Sequence, residues 1–144
     1  MTTLGTHEIL GLFGTASDNR VAVWGGISPD RTRVLLLTWQ HEVNLGGRKA
    51  PKGKVRVNLV NADDAATCQS NPGYRERLKH IAAIRGGAEG LALIDEAVDP
   101  TARVITVKRR NPDRPWRIVE LVQVDDVTVD AIMELSDYWD RHKK

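Results

Sequence analysis

The chain is poor in the residues that carry redox and metal chemistry. It has one cysteine, Cys68, so no internal disulfide can form. Four scattered histidines and that single thiol give no zinc-ligand spacing, and no metal or other cofactor is expected. Sparse cysteine fits a reducing compartment, so a cytoplasmic location is the expectation. No stretch approaches the roughly 18–20 apolar residues that a membrane span needs. The opening MTTLGTHEILGLFG lacks the basic region that begins a secretory leader, so neither a leader nor a membrane partner is expected. Net charge is only +2, and the total therefore names no partner. Aromatic residues make up 5%, yet four of them are tryptophan, against two tyrosines and one phenylalanine.

What is present suits a single domain over residues 1–144. The chain is 41% hydrophobic, enough for a core, and 28% charged, as for an ordinary globule. THEILGLF (6–13) has helical spacing at Ile9, Leu10 and Phe13, with Thr6 as cap and Gly14 as stop. RVAVWGGI (20–27) and RTRVLLLTWQH (31–41) read as strands around the Ser28-Pro29-Asp30 turn. VLLL is apolar on both faces and points to a central strand. Gly25-Gly26 signals a bulge or a close backbone approach. EVNLGGRKAPKG (42–53) is loop. KVRVNLVN (54–61) alternates as a half-buried strand with Lys54, Arg56 and Asn58 outward.

Residues 62–70 read as loop. Asn71 then caps a helix over 72–85, with Pro72 at its first position and Gly86-Gly87 at its end. GLALIDEAV (90–98), RVITVKR (103–109) and WRIVELVQV (116–124) read as strands. Val129, Ile132, Met133, Ser136 and Trp139 fall at helical spacing, which predicts a last helix over about 129–142 with an acidic outer face. The order α-β-β-β-α-β-β-β-α has few connections long enough for a helical crossover. It predicts an α+β fold: a strongly curved, mostly antiparallel six-stranded sheet, or a small open β-barrel, with flanking helices.

Charge is distributed unevenly. Arg48, Lys49, Lys52, Lys54 and Arg56 form one basic segment, and Arg103, Lys108, Arg109, Arg110, Arg114 and Arg117 a second. Arg75, Arg77, Lys79 and Arg85 on the 72–85 helix make a third, and together they hold fifteen of the 21 basic residues. Acids gather at 89–99 and 125–140. A fold that brings the basic segments together presents one positive face, suited to phosphates.

Catalytic patterns are weak. GGRKAPKGKV places five residues between Gly47 and Gly53 where a phosphate loop has four, and Val55 where it needs Ser or Thr, which excludes that class. Cys68 could be activated by His80, but a small packed thiol is the simpler reading. Pro29-Asp30 with Glu42-Val43-Asn44 echoes the carboxylate pattern of metal-dependent nucleases, with Asp30, Glu42 and His41 as candidates; Asn44 stands where that pattern has Lys. Pro112-Asp113 with Glu120 lacks the Lys as well. Trp39 and Trp139 lie on apolar patterns and read as core. Trp24, beside two glycines, and Trp116, between Arg114 and Arg117, are the candidates to stack on a base.

From Gly87 to Val124 the order is a Gly-terminated helix, the apolar strand GLALIDEAV, Asp99-Pro100, and two strands ending WRIVELVQVD. This order resembles part of the PUA-like superfamily, the group of PUA, ASCH, EVE/YTH and SRA-type domains. The resemblance implies a small curved barrel that reads a modified or flipped base in an aromatic pocket with phosphates on a basic rim.

The leading expectation is therefore a noncatalytic nucleic-acid-binding domain, for DNA or RNA. Trp24 and Trp116 would hold the base, and Lys49, Lys52, Lys54, Arg56, Arg109, Arg110, Arg114 and Arg117 the phosphates. The alternatives are the metal-dependent nuclease, and a protein-interaction module that pairs acidic and basic faces, with itself as a homo-oligomer or with an acidic protein.

Overall fold

A computed structural model describes residues 5–20, 22–67, 70–101 and 107–142. Cys68, Arg103 and most of the strand expected over 103–109 lie outside the described residues. Seven strands form one sheet: β1 (Gly25–Ile27), β2 (Arg33–Trp39), β3 (Val55–Val60), β4 (Glu89–Ala97), β5 (Val107–Arg109), β6 (Trp116–Gln123) and β7 (Val129–Leu135). Among the described residues four α-helices accompany it: α1 (Thr6–Leu12), α2 (Ala62–Thr67), α3 (Pro72–Arg85) and α4 (Tyr138–Arg141). The fold is α+β, as expected. No helix among the described residues is long and apolar enough to cross a membrane.

The sheet order is β1-β2-β4-β6-β7-β3, with β5 paired to β4 off this path. β2 and β4 are parallel, and the other pairings are antiparallel. The sheet is thus mixed, seven-stranded and not closed, which corrects the expected count of six. The parallel pair exists because the chain between β2 and β4 contains α2 and α3, long enough for a crossover.

The central position of β2 explains VLLL. Val34 and Leu36 enter one core with Val57, Leu59, Ile81, Ala92, Ala131 and Met133, on the α3 side. Leu35 and Leu37 enter a second core with Ile9, Leu10, Phe13, Leu91, Leu93 and Tyr138, beneath α1 and α4. Each Val, Leu, Ile, Phe or Met among them contributes about 1.5–3 kcal/mol by leaving water. Asn71 caps α3 by accepting from the Gly73 amide at 2.7 Å. α1 starts one residue earlier in its capping than Thr6 suggested: the Gly5 amide donates to Glu8 Oε1 at 3.1 Å. Gly25 is a close approach, since a Cβ there would stand 2.5 Å from the Leu35 carbonyl oxygen.

Two local readings change. Residues 129–135 form strand β7, not a helix. Val129, Ala131 and Met133 enter the α3-side core, while on the other face Asp130 and Ile132 are buried too, Asp130 beneath Arg48 and Arg56, so Val129 to Met133 are all buried. Burial on both faces erased the alternation that would have marked it as a strand. Among the described residues near the end, only Tyr138–Arg141 is helical. Residues 62–67, read as loop, form α2, entered through a reciprocal cap: the Asn61 amide donates to Asp64 Oδ2 at 3.0 Å and the Asp64 amide to Asn61 Oδ1 at 3.1 Å.

The edge strand β3 is tied back toward the C-terminal end of β2, beyond the short pairing of β2 with β1. Val43, just past β2, makes an isolated bridge to Val57 of β3. Arg77 of α3 is 4% exposed and donates to three carbonyl oxygens: Leu59 at 3.2 Å, Trp24 at 2.9 Å and Leu37 at 2.6 Å. One guanidinium therefore satisfies backbone groups that the open seam would orphan.

Candidate nucleic-acid interface

The outer face of β3, β7 and β6 is organised around two carboxylates. Asp130 is 2% exposed. It receives Arg48 in a two-point pair (Nε at 2.6 Å and Nη2 at 3.1 Å), Arg56 Nε at 2.8 Å and Asn58 Nδ2 at 3.0 Å. Burial acts to raise its pKa, but the hydrogen bonds from Arg48, Asn58 and Arg56 outweigh it, and the net shift is downward. Glu134, opposite Arg117 in the β6–β7 register, receives Arg117 Nη2 at 2.8 Å and lies 4.0 Å from Lys54 Nζ.

These contacts bring the segments 48–56 and 114–117 to one face, although more than fifty residues separate them in the chain. Arg56 spends only its Nε on Asp130, so its terminal N–H groups remain available. Lys49, Lys52 and Arg114 are exposed, and none of them makes an ion pair within the described residues.

Other expected phosphate ligands are placed differently. Arg110 donates to both oxygens of Asp95, at 3.0 Å and 2.7 Å, and to Thr6 Oγ1 at 3.2 Å. Asp95 is buried, and this pair locks the end of β4 against the start of α1. Arg110 is therefore structural. Arg109, with Lys108, shares Glu96 in loose surface pairs at 3.7 Å and 3.3 Å. The third basic segment does not join the other two: Arg77 is buried under the seam, and Arg75 and Lys79 line a cleft with Arg31.

The tryptophans do not enclose one base. Gly25, Leu36, Ala92 and Trp116 lie in one row across β1, β2, β4 and β6. Three strand spacings of ~4.8 Å put the backbones of Trp24 and Trp116 roughly 14 Å apart. Trp24 sits edge-on to Tyr74 with ring centroids 6.4 Å apart, and the Arg77 guanidinium lies 5.7 Å from its ring centroid. Trp116 is half-buried against the α3-side core, on the opposite face of the sheet from its neighbour Arg117 and from the basic outer face. Trp139 packs on Phe13 and donates to the Pro112 carbonyl at 2.7 Å, a core role as expected; Trp39 is half-buried beside His41.

The nuclease candidates do not assemble. Asp30 is an exposed turn residue that accepts from Ser28 and Thr32, and these bonds pull its carboxyl down to about 2. Glu42 follows the far end of β2, roughly 20 Å away along a seven-residue strand. Among the described residues no group of three or more His, Cys, Asp or Glu side chains could hold a metal ion.

Three of the four acids expected on a C-terminal helix face are also spent, and Asp140 is left exposed. Asp130 and Glu134 pair as above, and Asp137 pairs with Arg141 at 2.8 Å. The exposed acidic face that self-pairing required is therefore reduced.

Sequence reading missed Asp130, Glu134 and Arg48 as members of the site. The first two stood in a stretch with a helical pattern, and only the strand assignment sets Asp130 beside Arg56 and Glu134 beside Lys54. Comparison with protein families, with curated proteins and with solved structures finds no match to this chain.

Proposed function

We propose that the chain is a noncatalytic nucleic-acid-binding domain whose contact surface is the outer face of β3, β7 and β6. The observation that supports this reading is the convergence of two distant basic segments on Asp130 and Glu134. Two acids hold four cations there, and Lys49, Lys52 and Arg114 add unpaired charge at the rim. Arg48, Arg56 and Arg117 reach phosphates with the guanidinium donors that their carboxylates leave free; lysines act as point charges. Trp116 packs on the α3-side core, on the opposite face of the sheet from Arg117, so the contacts on this surface are to phosphates; a PUA-like curved sheet in the cytoplasm is the setting that the reading carries.

Fluorescence anisotropy with labelled duplex and single-stranded oligonucleotides at two salt concentrations tests it. Each phosphate contact adds about −0.9 to the slope of log affinity against log salt for duplex. A slope of several units is expected. Weak binding that does not change with salt overturns the reading.

A further inference from the structure

Across the sheet from this face, beside α3, a cleft of about 310 Å³ opens between the helix, the loop at Asp18–Asn19 and the turn at Arg31. We propose that this cleft binds a small phosphorylated molecule, with Arg31, Arg75 and Lys79 around the phosphate and His80 on its floor. The site is separate from the nucleic-acid face and stands or falls independently of it.

Three features support it. First, the cations are uncommitted: Arg31, Arg75 and Lys79 make no ion pair within the described residues, and Arg75 reaches only the Ser70 carbonyl at 3.5 Å. Second, the deeper acid of the cleft is already satisfied. Glu76 accepts Ser17 Oγ at 2.8 Å on both oxygens and Asn19 Nδ2 at 3.4 Å, a set of bonds that pins the loop to α3 and builds the cleft wall. Asp18, the other acid there, is exposed. Third, His80 is 3% exposed, lines the cleft and has no hydrogen-bond partner. Its Nδ1 is fully buried and unpaired, turned toward Gly25, which leaves the Nε2 edge for a ligand.

Burial first, and then the nearby charges of Arg77, Arg31 and Lys79, push the His80 imidazole down to about 4. It is neutral at pH 7 and can accept or donate one hydrogen bond without adding charge. Three cations spaced around a volume at the small end of ligand sites suit a phosphate dianion with a compact organic group attached.

The test is calorimetric titration of the full chain with inorganic phosphate, ribose 5-phosphate, adenosine 5′-monophosphate and, as the uncharged control, adenosine. Saturable binding of at least one phosphorylated probe and none of adenosine is expected, and the three phosphorylated arms separate a free phosphate from a sugar or nucleotide source. The His80 ring resonances should shift on binding. Arg31→Gln with Lys79→Gln should weaken binding by about tenfold or more while the circular dichroism spectrum stays unchanged, and Lys108→Gln, at an exposed lysine paired with Glu96, should leave it unaltered. No saturable binding at millimolar concentrations, or equal binding by the double variant, overturns the proposal.

Discussion

Arg56 donates its Nε–H to Asp130 at 2.8 Å, on the carboxylate oxygen that also receives Arg48 Nε at 2.6 Å. The shared acid fixes two arginines side by side with their remaining donors outward. Asp130→Asn keeps the shape and removes the charge, leaving two adjacent guanidiniums without a counter-charge. A stability loss of about 3 kcal/mol is expected by urea denaturation at neutral pH, as for a half-broken buried pair. The effect on binding is more telling. The variant is more positive by one charge, so an interface that uses only net charge would bind oligonucleotides more tightly. An interface that depends on arginines held in place binds several-fold more weakly, which is the expected outcome.

The rim makes a complementary prediction. Lys49, Lys52 and Arg114 are exposed and unpaired, so the triple change Lys49→Gln, Lys52→Gln, Arg114→Gln should leave urea stability within about 0.5 kcal/mol of the parent. The salt slope of oligonucleotide binding should fall by about 0.9 for each residue that touches a duplex phosphate. An unchanged slope would place the interface elsewhere.

Arg77 is a staple for the seam between β2 and β3. Arg77→Met takes donors from the Leu59, Trp24 and Leu37 carbonyls at once, at a cost of about 3–5 kcal/mol. Arg77→Lys keeps a cation with three donors on a different geometry and should lose less. Hydrogen exchange locates the damage: the Leu37 amide, bonded to the Trp24 carbonyl at 2.9 Å, should lose protection before the β6–β7 ladder does. Uniform loss across the sheet would count against a local staple.

Much of the scaffold was readable where local chemistry and final environment agree. Asn71-Pro72 and Gly86-Gly87 bound α3 as written, and VLLL reported burial on both faces of β2. The misreadings share one cause, which is context the chain does not carry locally. Val129 to Met133 match helical spacing only because both faces of β7 are covered, and Asp130 looks like a surface acid until Arg48 and Arg56 close over it. Asn61 and Asp64 did signal a helix start, but as an Asn-x-x-Asp cap in a polar stretch easily taken for loop. In the site, the charges were legible and their pairing was not. Arg109, Arg110, Arg114 and Arg117 are alike in sequence, whereas the fold turns Arg110 inward to Asp95 and leaves Arg114 in solvent.

Gly73 offers a test of how tightly α3 docks. A Cβ on it would collide with the Trp24 indole and the Ala22 carbonyl oxygen. Gly73→Ala near the start of an isolated helix would favour the helix by up to about 1 kcal/mol. Here the collision should dominate, with a net loss of about 1–3 kcal/mol and a change in tryptophan emission as Trp24 is displaced. A gain in stability would mean that Trp24 yields without cost.

Glu42 sets a pH dependence of unusual sign. Burial raises its carboxyl from an ordinary 4.5 to about 7; Arg77 pulls it down and Asp64 pushes it up. Between those two values the folded chain holds a proton that the unfolded chain has released. Stability from this group therefore falls as pH rises through 4.5 to 7 and is level above. The shift corresponds to about 3 kcal/mol at most, less in practice because the side chain is partly solvated. His80 works in the opposite direction: its depressed pKa costs stability as pH falls from 6.5 toward 4. Glu42→Gln should equal the parent near pH 4 and exceed it by about 2 kcal/mol near pH 8, measured by urea denaturation across pH. With the carboxyl removed, the His80 slope is exposed, so the variant should lose stability more steeply than the parent on acidification from pH 6.5 to 4.5. A constant difference between the two proteins at every pH would show that Glu42 is solvated and titrates like a free carboxylate.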